Sequence, residues 1–160
     1  MTTPGRPRAP VLAICGHSGA GKTTLIEQLI PAFAARGRRV AVLKRTHHAV
    51  DVDVAGKDSD RFFRAGATVW LQAPGQVFVR QPVTAADADH GWRRALAELA
   101  GTHDVVLVEG HKETPLPKVW LLGPDEAAPP AGVCDVLAVL ARDQPRLAIT
   151  LALCDALPAP

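Results

Sequence analysis

The sequence predicts an α/β fold: a mostly parallel sheet with helices on both faces and a β-hairpin extension. Three observations predict it. Short apolar runs of strand length alternate with longer segments of helical spacing, the pattern of βαβ units. Several of those runs, such as Val105-Val106-Leu107-Val108, are continuously apolar, as in strands covered on both sides. Between the first strand and the first helix stands Gly16-His17-Ser18-Gly19-Ala20-Gly21-Lys22-Thr23-Thr24, a glycine-rich turn of one particular spacing.

The elements follow in order. A first strand covers Pro10–Cys15. A first helix runs from Lys22 to about Arg36, with Leu25, Ile26, Leu29, Ile30 and Phe33 on one face and Gly37 as its C-terminal stop. Pro31 inside it predicts a kink or an early end. Arg39–Lys44 reads as a second parallel strand covered on both faces. Residues 45–59 are polar and irregular. A short helix is expected over Ser59–Ala65, stopped by Gly66. Thr68–Gln72 and Gln76–Arg80 flank Ala73-Pro74-Gly75 as a hairpin. Thr84 caps a third helix over Ala85–Leu99, ended by Gly101. Strands follow at Asp104–Gly110, Lys118–Leu122 and Val133–Leu140, with a Pro-, Ala- and acid-rich loop over Gly123–Gly132. For Leu147–Leu157 the pattern suits helix or strand equally.

Composition narrows the class. The 160 residues are enough for one domain with a real core, and 48% are hydrophobic. A net charge of +2 is too mild to argue for nucleic acid or an acidic membrane surface. No apolar run approaches the roughly 18 residues of a membrane span. Met1–Pro10 carries two arginines but no leader-like apolar core, so a cytoplasmic location is expected. Cys15, Cys134 and Cys154 form no C-x-x-C pair, and each is expected to be a buried small hydrophobe.

Residues 16–23 match the phosphate-binding loop pattern G-x-x-x-x-G-K-[ST]. Its glycines allow positive φ, so successive N–H groups face phosphate oxygens. The helix that follows adds unpaired N–H groups and a positive dipole end. Lys22 would reach the β- and γ-phosphates, and the Thr23 hydroxyl would ligate Mg²⁺. The ligand class is therefore a nucleoside triphosphate with Mg²⁺.

In a parallel sheet, ligands sit at the carboxyl ends of the strands. Glu109 ends an apolar strand there and can bind Mg²⁺ through water or orient an attacking water, with Gly110 leaving room for a phosphate. Asp51, Asp53 and Asp58 lie in a loop resembling a nucleotide-sensing switch, and Asp53 is taken with Glu109 as the catalytic and metal-binding pair. His47, His48 and His111 are candidate transition-metal ligands, although adjacent histidines usually point apart. The chain has no asparagine, which excludes the N-K-x-D guanine reader. Asp143, just after a strand, can still take the aspartate's part.

Several segments together resemble the molybdopterin-guanine dinucleotide biosynthesis adapter protein (MobB) family. They are Gly16–Thr24, Val42–His48, Asp51–Ser59 with its G-K-D-S, Arg61, Ala65-Gly66-Ala67, Asp104–Gly110 with its V-E-G, and Pro117-Lys118-Val119. Arg45 stands where the family often has histidine, and the segment from Gly123 onward resembles the family too little to transfer residues. The resemblance implies a P-loop NTPase-like, three-layer fold in a cytoplasmic homodimer that binds GTP and is a weak GTPase at best. It implies a partner as well, the guanylyltransferase MobA, which attaches GMP to molybdopterin to give the dinucleotide form of the molybdenum cofactor. A small-molecule kinase and a metallochaperone GTPase are the rival readings.

Overall fold

The computed structural model describes residues 8–46, 50 and 52–158. Chain contacts gather into two compact units, Met1–Arg45 with Arg94–Pro160, and Thr46–Arg93.

The larger unit holds a five-stranded parallel sheet. Its strands are β1 (Val11–Cys15), β2 (Val40–Lys44), β5 (Val105–Glu109), β6 (Lys118–Leu121) and β7 (Val136–Leu140), in the order β2-β5-β1-β6-β7. All five residues of the central β1 are buried, flanked by β5 in the register Ile14↔Glu109 and by β6 in the register Ile14↔Val119. Helices α1 (Lys22–Ala34) and α4 (Arg146–Ala156) cover one face, where Leu25, Ile26, Leu29, Phe33, Leu151 and Cys154 pack on Leu12, Ile14, Val105 and Leu107. The other face meets Leu96, Leu99 and Ala100 of α3 (Ala85–Thr102). Helices thus lie on both faces, as the alternating pattern required. At about 1.5–3 kcal/mol for each fully buried large apolar side chain, these two layers supply most of what holds the unit together.

Some expectations shift. Helix α1 passes through Pro31 and ends at Ala34, and Gly37 takes φ 68° just beyond it. Strand β2 is parallel but is not covered on both faces. It forms one edge of the sheet, and Val42 is 40% exposed. Helix α3 runs past Gly101 to Thr102, whose hydroxyl donates to the carbonyls of Glu98 (2.9 Å) and Leu99 (3.3 Å) and so finishes the last turn. The segment after Arg146 is a helix. Of the three cysteines, Cys15 and Cys154 are buried, but Cys134 is exposed in the loop before β7. Burial pushes the Cys15 thiol up to about 11 and the Cys154 thiol up to about 12.

Lys118 is fully buried at the start of β6. Its ammonium donates to the carbonyls of Thr114 (2.7 Å) and Cys134 (2.6 Å), tying together the loops before β6 and β7. A buried cation is tolerated there because its protons meet carbonyl oxygens.

The smaller unit contains α2 (Asp58–Arg64) and the antiparallel hairpin of β3 (Val69–Ala73) and β4 (Gln76–Arg80). Gly75 takes φ 79° in the two-residue turn. One buried carboxylate organises this unit. Asp60 accepts from the Gly56 N–H (2.9 Å), Arg64 Nε (2.8 Å) and Arg80 Nη1 (2.9 Å). Arg80 also stacks on Phe63, 3.8 Å from the ring centroid.

The Gly56 N–H first, then Arg64 and Arg80, hold the Asp60 carboxyl well below the usual carboxylate range. A depressed folded-state value means the stabilisation is fully present above the unfolded value, about 3.9, and is lost as pH falls through the folded one. The protection factors of α2 and the hairpin against hydrogen exchange should therefore fall below about pH 4 in the native chain. In Asp60→Asn those protection factors should already be low at neutral pH and change little over the same range.

Candidate phosphate-binding site

The loop between β1 and α1 starts at Cys15, whose thiol donates to the Gly110 carbonyl at 2.9 Å. Gly16 follows at φ 143°, and a Cβ there would lie 2.5 Å from the Leu121 carbonyl oxygen. Backbone meets backbone at that point, so only glycine fits. Gly19 and Gly21 also have positive φ, and Gly21 is the N-cap of α1 without a side-chain cap. The first-turn N–H groups of α1 therefore have no side-chain acceptor at the cap.

Lys22 folds back over the loop and donates from Nζ to the carbonyls of Gly16 (3.0 Å) and His17 (2.8 Å). Ser18, Thr23 and Thr24 are exposed, whereas Ala20 is buried under the α1–α4 layer. His17 stands edge-on to Trp120, with centroids 5.7 Å apart, and its Nε2 lies 3.4 Å from Glu126 Oε1. The Gly123 N–H and Trp120 Nε1 both donate to Glu126, and the Gly123 contact does most to lower its pKa.

Glu109 ends β5 beside β1, and the Gly110 N–H donates to the Ile14 carbonyl at 3.0 Å. Glu109 thus shares a sheet edge with the loop. Its mostly buried carboxylate sits 3.3 Å from Lys44 Nζ.

Two arginines that sequence reasoning did not assign complete the site. Arg142 donates from Nη2 to the Gly19 carbonyl at 2.8 Å. Arg146 donates to four carbonyls: Ala20 (2.7 Å), Ala141 (2.8 Å), Leu122 (2.9 Å) and Leu140 (2.9 Å). Burial lowers the Arg146 pKa, and the charge of Arg142 lowers it further. A planar fork with five donors suits such a cage, which a lysine ammonium could not reproduce.

The other candidates have their own local surroundings. Asp53 belongs to the smaller unit, where its Oδ1 accepts from the Val54 N–H (2.8 Å) and its Oδ2 lies 3.8 Å from Arg80. Asp58 is exposed in the first turn of α2. Asp143 is exposed in the turn before α4. His111 is half-buried at φ 58°. His47, His48 and Asp51 lie outside the described residues. Among the described residues no cluster of three or more His, Cys, Asp or Glu side chains is arranged to hold a metal ion.

Residues 11–142 match the family described as "Molybdopterin guanine dinucleotide synthesis protein B" (MobB), a span that contains the loop, Glu109 and Arg142. The chain belongs to the MobB family. Over 136 residues it is 36% identical to the molybdopterin-guanine dinucleotide biosynthesis adapter protein of Haemophilus influenzae, covering 85% of this chain and 76% of that one. Over 119 residues it is 40% identical to the Escherichia coli protein of the same name, covering 73% and 67%. The crystal structure titled molybdopterin-guanine biosynthesis protein B superposes with a TM-score of 0.69 at 24% identity, over 92% of this chain and 99% of that one. Bacillus subtilis MobB superposes at 0.58 with 20% identity, over 94% and 99%, and both structures share the α/β fold. The family match runs beyond Pro117-Lys118-Val119, the last of the resembling segments, through β7 to Arg142.

In this MobB-family chain the missed residues left uneven signals. Arg142 follows a strand at the ligand-bearing edge, a visible position. Arg146 opens a helix, where a cation opposes the dipole, and only the fold reveals the carbonyls that offset this. Asp60 and Arg64 carry an i,i+4 spacing that could have flagged them.

Arg146→Ala should take one donor from each of those carbonyls, of which Leu140 and Ala141 keep the backbone N–H groups of Leu122 and Gln144. We expect a loss of about 1–3 kcal/mol in denaturant unfolding. Faster hydrogen exchange should appear at residues 19–22 and 141–146. Arg146→Lys should recover only part of the loss.

Proposed function

We propose that this chain is a single nucleotide-binding domain, residues 1–160, acting in the cytoplasm as a GTP-binding adapter in molybdopterin-guanine dinucleotide biosynthesis. In that reading it assists a MobA-like guanylyltransferase and hydrolyses GTP slowly at most. The observation that carries the reading is the loop itself. Lys22 is already poised over a turn of positive-φ glycines, held by the carbonyls of Gly16 and His17. An incoming phosphate exchanges those neutral acceptors for charged oxygens, a stronger class of hydrogen bond. Family membership and the names of the relatives support the pathway.

The donor set suits a hard divalent cation. The Thr23 hydroxyl and the Glu109 carboxylate are the oxygen ligands the loop's sheet edge offers to Mg²⁺. When bound, Mg²⁺ neutralises charge building on the β- and γ-phosphates. Lys44 holds the Glu109 carboxylate until then, keeping a mostly buried anion paired. Arg142 and Arg146 fix the loop through the carbonyls of Gly19 and Ala20. Calorimetry with GTP and Mg²⁺ tests the assignment. Lys22→Ala should abolish the binding isotherm while the circular dichroism spectrum stays native. Unchanged affinity would sink the site.

A homodimer belongs to the same proposal. On the hairpin, Trp70 pairs with Val79 and Gln72 with Val77, so Trp70, Val77 and Val79 share one face. All three are exposed, Trp70 by 69%. An apolar face on an unprotected two-stranded sheet favours pairing with a second copy. Trp70→Lys should shift the mass seen by sedimentation from dimer to monomer without weakening GTP binding by more than about twofold.

A further inference from the structure

A cleft of about 630 Å³ opens between α1 and α4 beside the phosphate loop. Ala20 and Gly21 close its loop end, and Leu25, Leu147 and Leu151 form its apolar floor. Its polar rim is made by Thr24 and Gln28 from α1 and by Arg142 and Gln144 from the β7–α4 turn. Asp143, between those last two, is not part of the lining. A mostly apolar recess with a few convergent polar groups is the usual form of a small-molecule site, and its size suits a nucleoside.

The chemistry of the rim is directional. The Ala141 N–H donates to Gln144 Oε1 at 2.8 Å. That contact occupies the amide oxygen and leaves the Gln144 –NH₂ as the group free to meet a ligand. Arg142 has only donors, and its Nη2 contact with the Gly19 carbonyl tethers the guanidinium where loop and cleft meet. Arg142 and Gln144 therefore present donors and a planar cation to the cleft, and the Asp143 carboxylate between them in sequence is not among its lining. Guanine offers two acceptors, O6 and N7, on one edge, whereas adenine places its N6 donor there. A planar guanidinium also stacks on heteroaromatic rings.

We propose that the α1–α4 cleft is the nucleobase subsite, and that Arg142 and Gln144 select guanine by donating to its O6/N7 edge. This rests on the phosphate-loop reading of the preceding section and adds the source of base selectivity in a chain without asparagine. It differs chemically from recognition by Asp143. A carboxylate would read the N1–H and the 2-amino group, whereas these donors ignore the 2-amino group.

Competition binding with inorganic triphosphate, GTP, inosine triphosphate and ATP, all with Mg²⁺, separates the possibilities. In the native chain inosine triphosphate should bind within about threefold of GTP, and ATP about tenfold or more weaker. Gln144→Glu keeps the contact to the Ala141 N–H but turns the free end into an acceptor. It should erase the preference for GTP over ATP while inorganic triphosphate binds as before. Ala148→Trp, from an exposed position on the cleft wall, should bring GTP down to the affinity of inorganic triphosphate. The subsite is overturned if inosine triphosphate falls to the level of ATP, if Gln144→Glu keeps the native ratio, or if Ala148→Trp binds GTP normally. Those results would leave the phosphate loop standing. Failure of the native chain to bind even inorganic triphosphate would overturn the loop assignment and this inference together.

Discussion

One guanidinium holds the site together. Arg146, at the first turn of α4, donates to the carbonyls of Ala20 in the loop, Leu122 beyond β6, and Leu140 and Ala141 at the end of β7. Three segments distant in sequence end at that side chain. Without it these segments lose a shared donor, at a combined cost of about 1–3 kcal/mol. The same side chain and its neighbour fix the loop: Gly19 and Ala20 offer their carbonyls to Arg142 and Arg146, while the Ala20 N–H donates to the His17 carbonyl.

The smaller unit follows the same logic with the sign reversed. A carboxylate, Asp60, gathers a backbone N–H and two guanidinium groups from α2, the segment before it and β4. Its apolar residues contribute less, since Phe62, Trp70, Leu71, Val77 and Val79 are largely exposed. A region held by one polar hub and few buried side chains sits at the low end of local stability.

Much of this was legible in the residues. The central strand, the loop and the first helix could be placed because three independent signals agreed: apolar run, motif spacing and helical period. Glu109 was legible because an apolar run that closes on an acid puts a charge at the sheet edge where ligands gather. The edge status of β2 was not, because a continuous apolar run looks the same at the centre of a sheet and at its border. Nor was the extension of α3 past Gly101, decided by one hydroxyl that finishes the turn. Arg146 was hidden for a related reason. Its partners are backbone oxygens, and backbone carries no letter in a sequence.

The three cysteines have a practical consequence. Cys15 lies directly before the phosphate loop and Cys154 in the α4 packing layer; both are buried and hold their protons to high pH. Thiolate is the reactive form, so alkylating reagents pass both by at neutral pH. Cys134 alone is exposed, in the loop whose carbonyl anchors Lys118. The native chain therefore carries a single address for a fluorophore or spin label. That address lies outside the phosphate loop and its arginines, and a reporter can be attached there without first removing the other thiols.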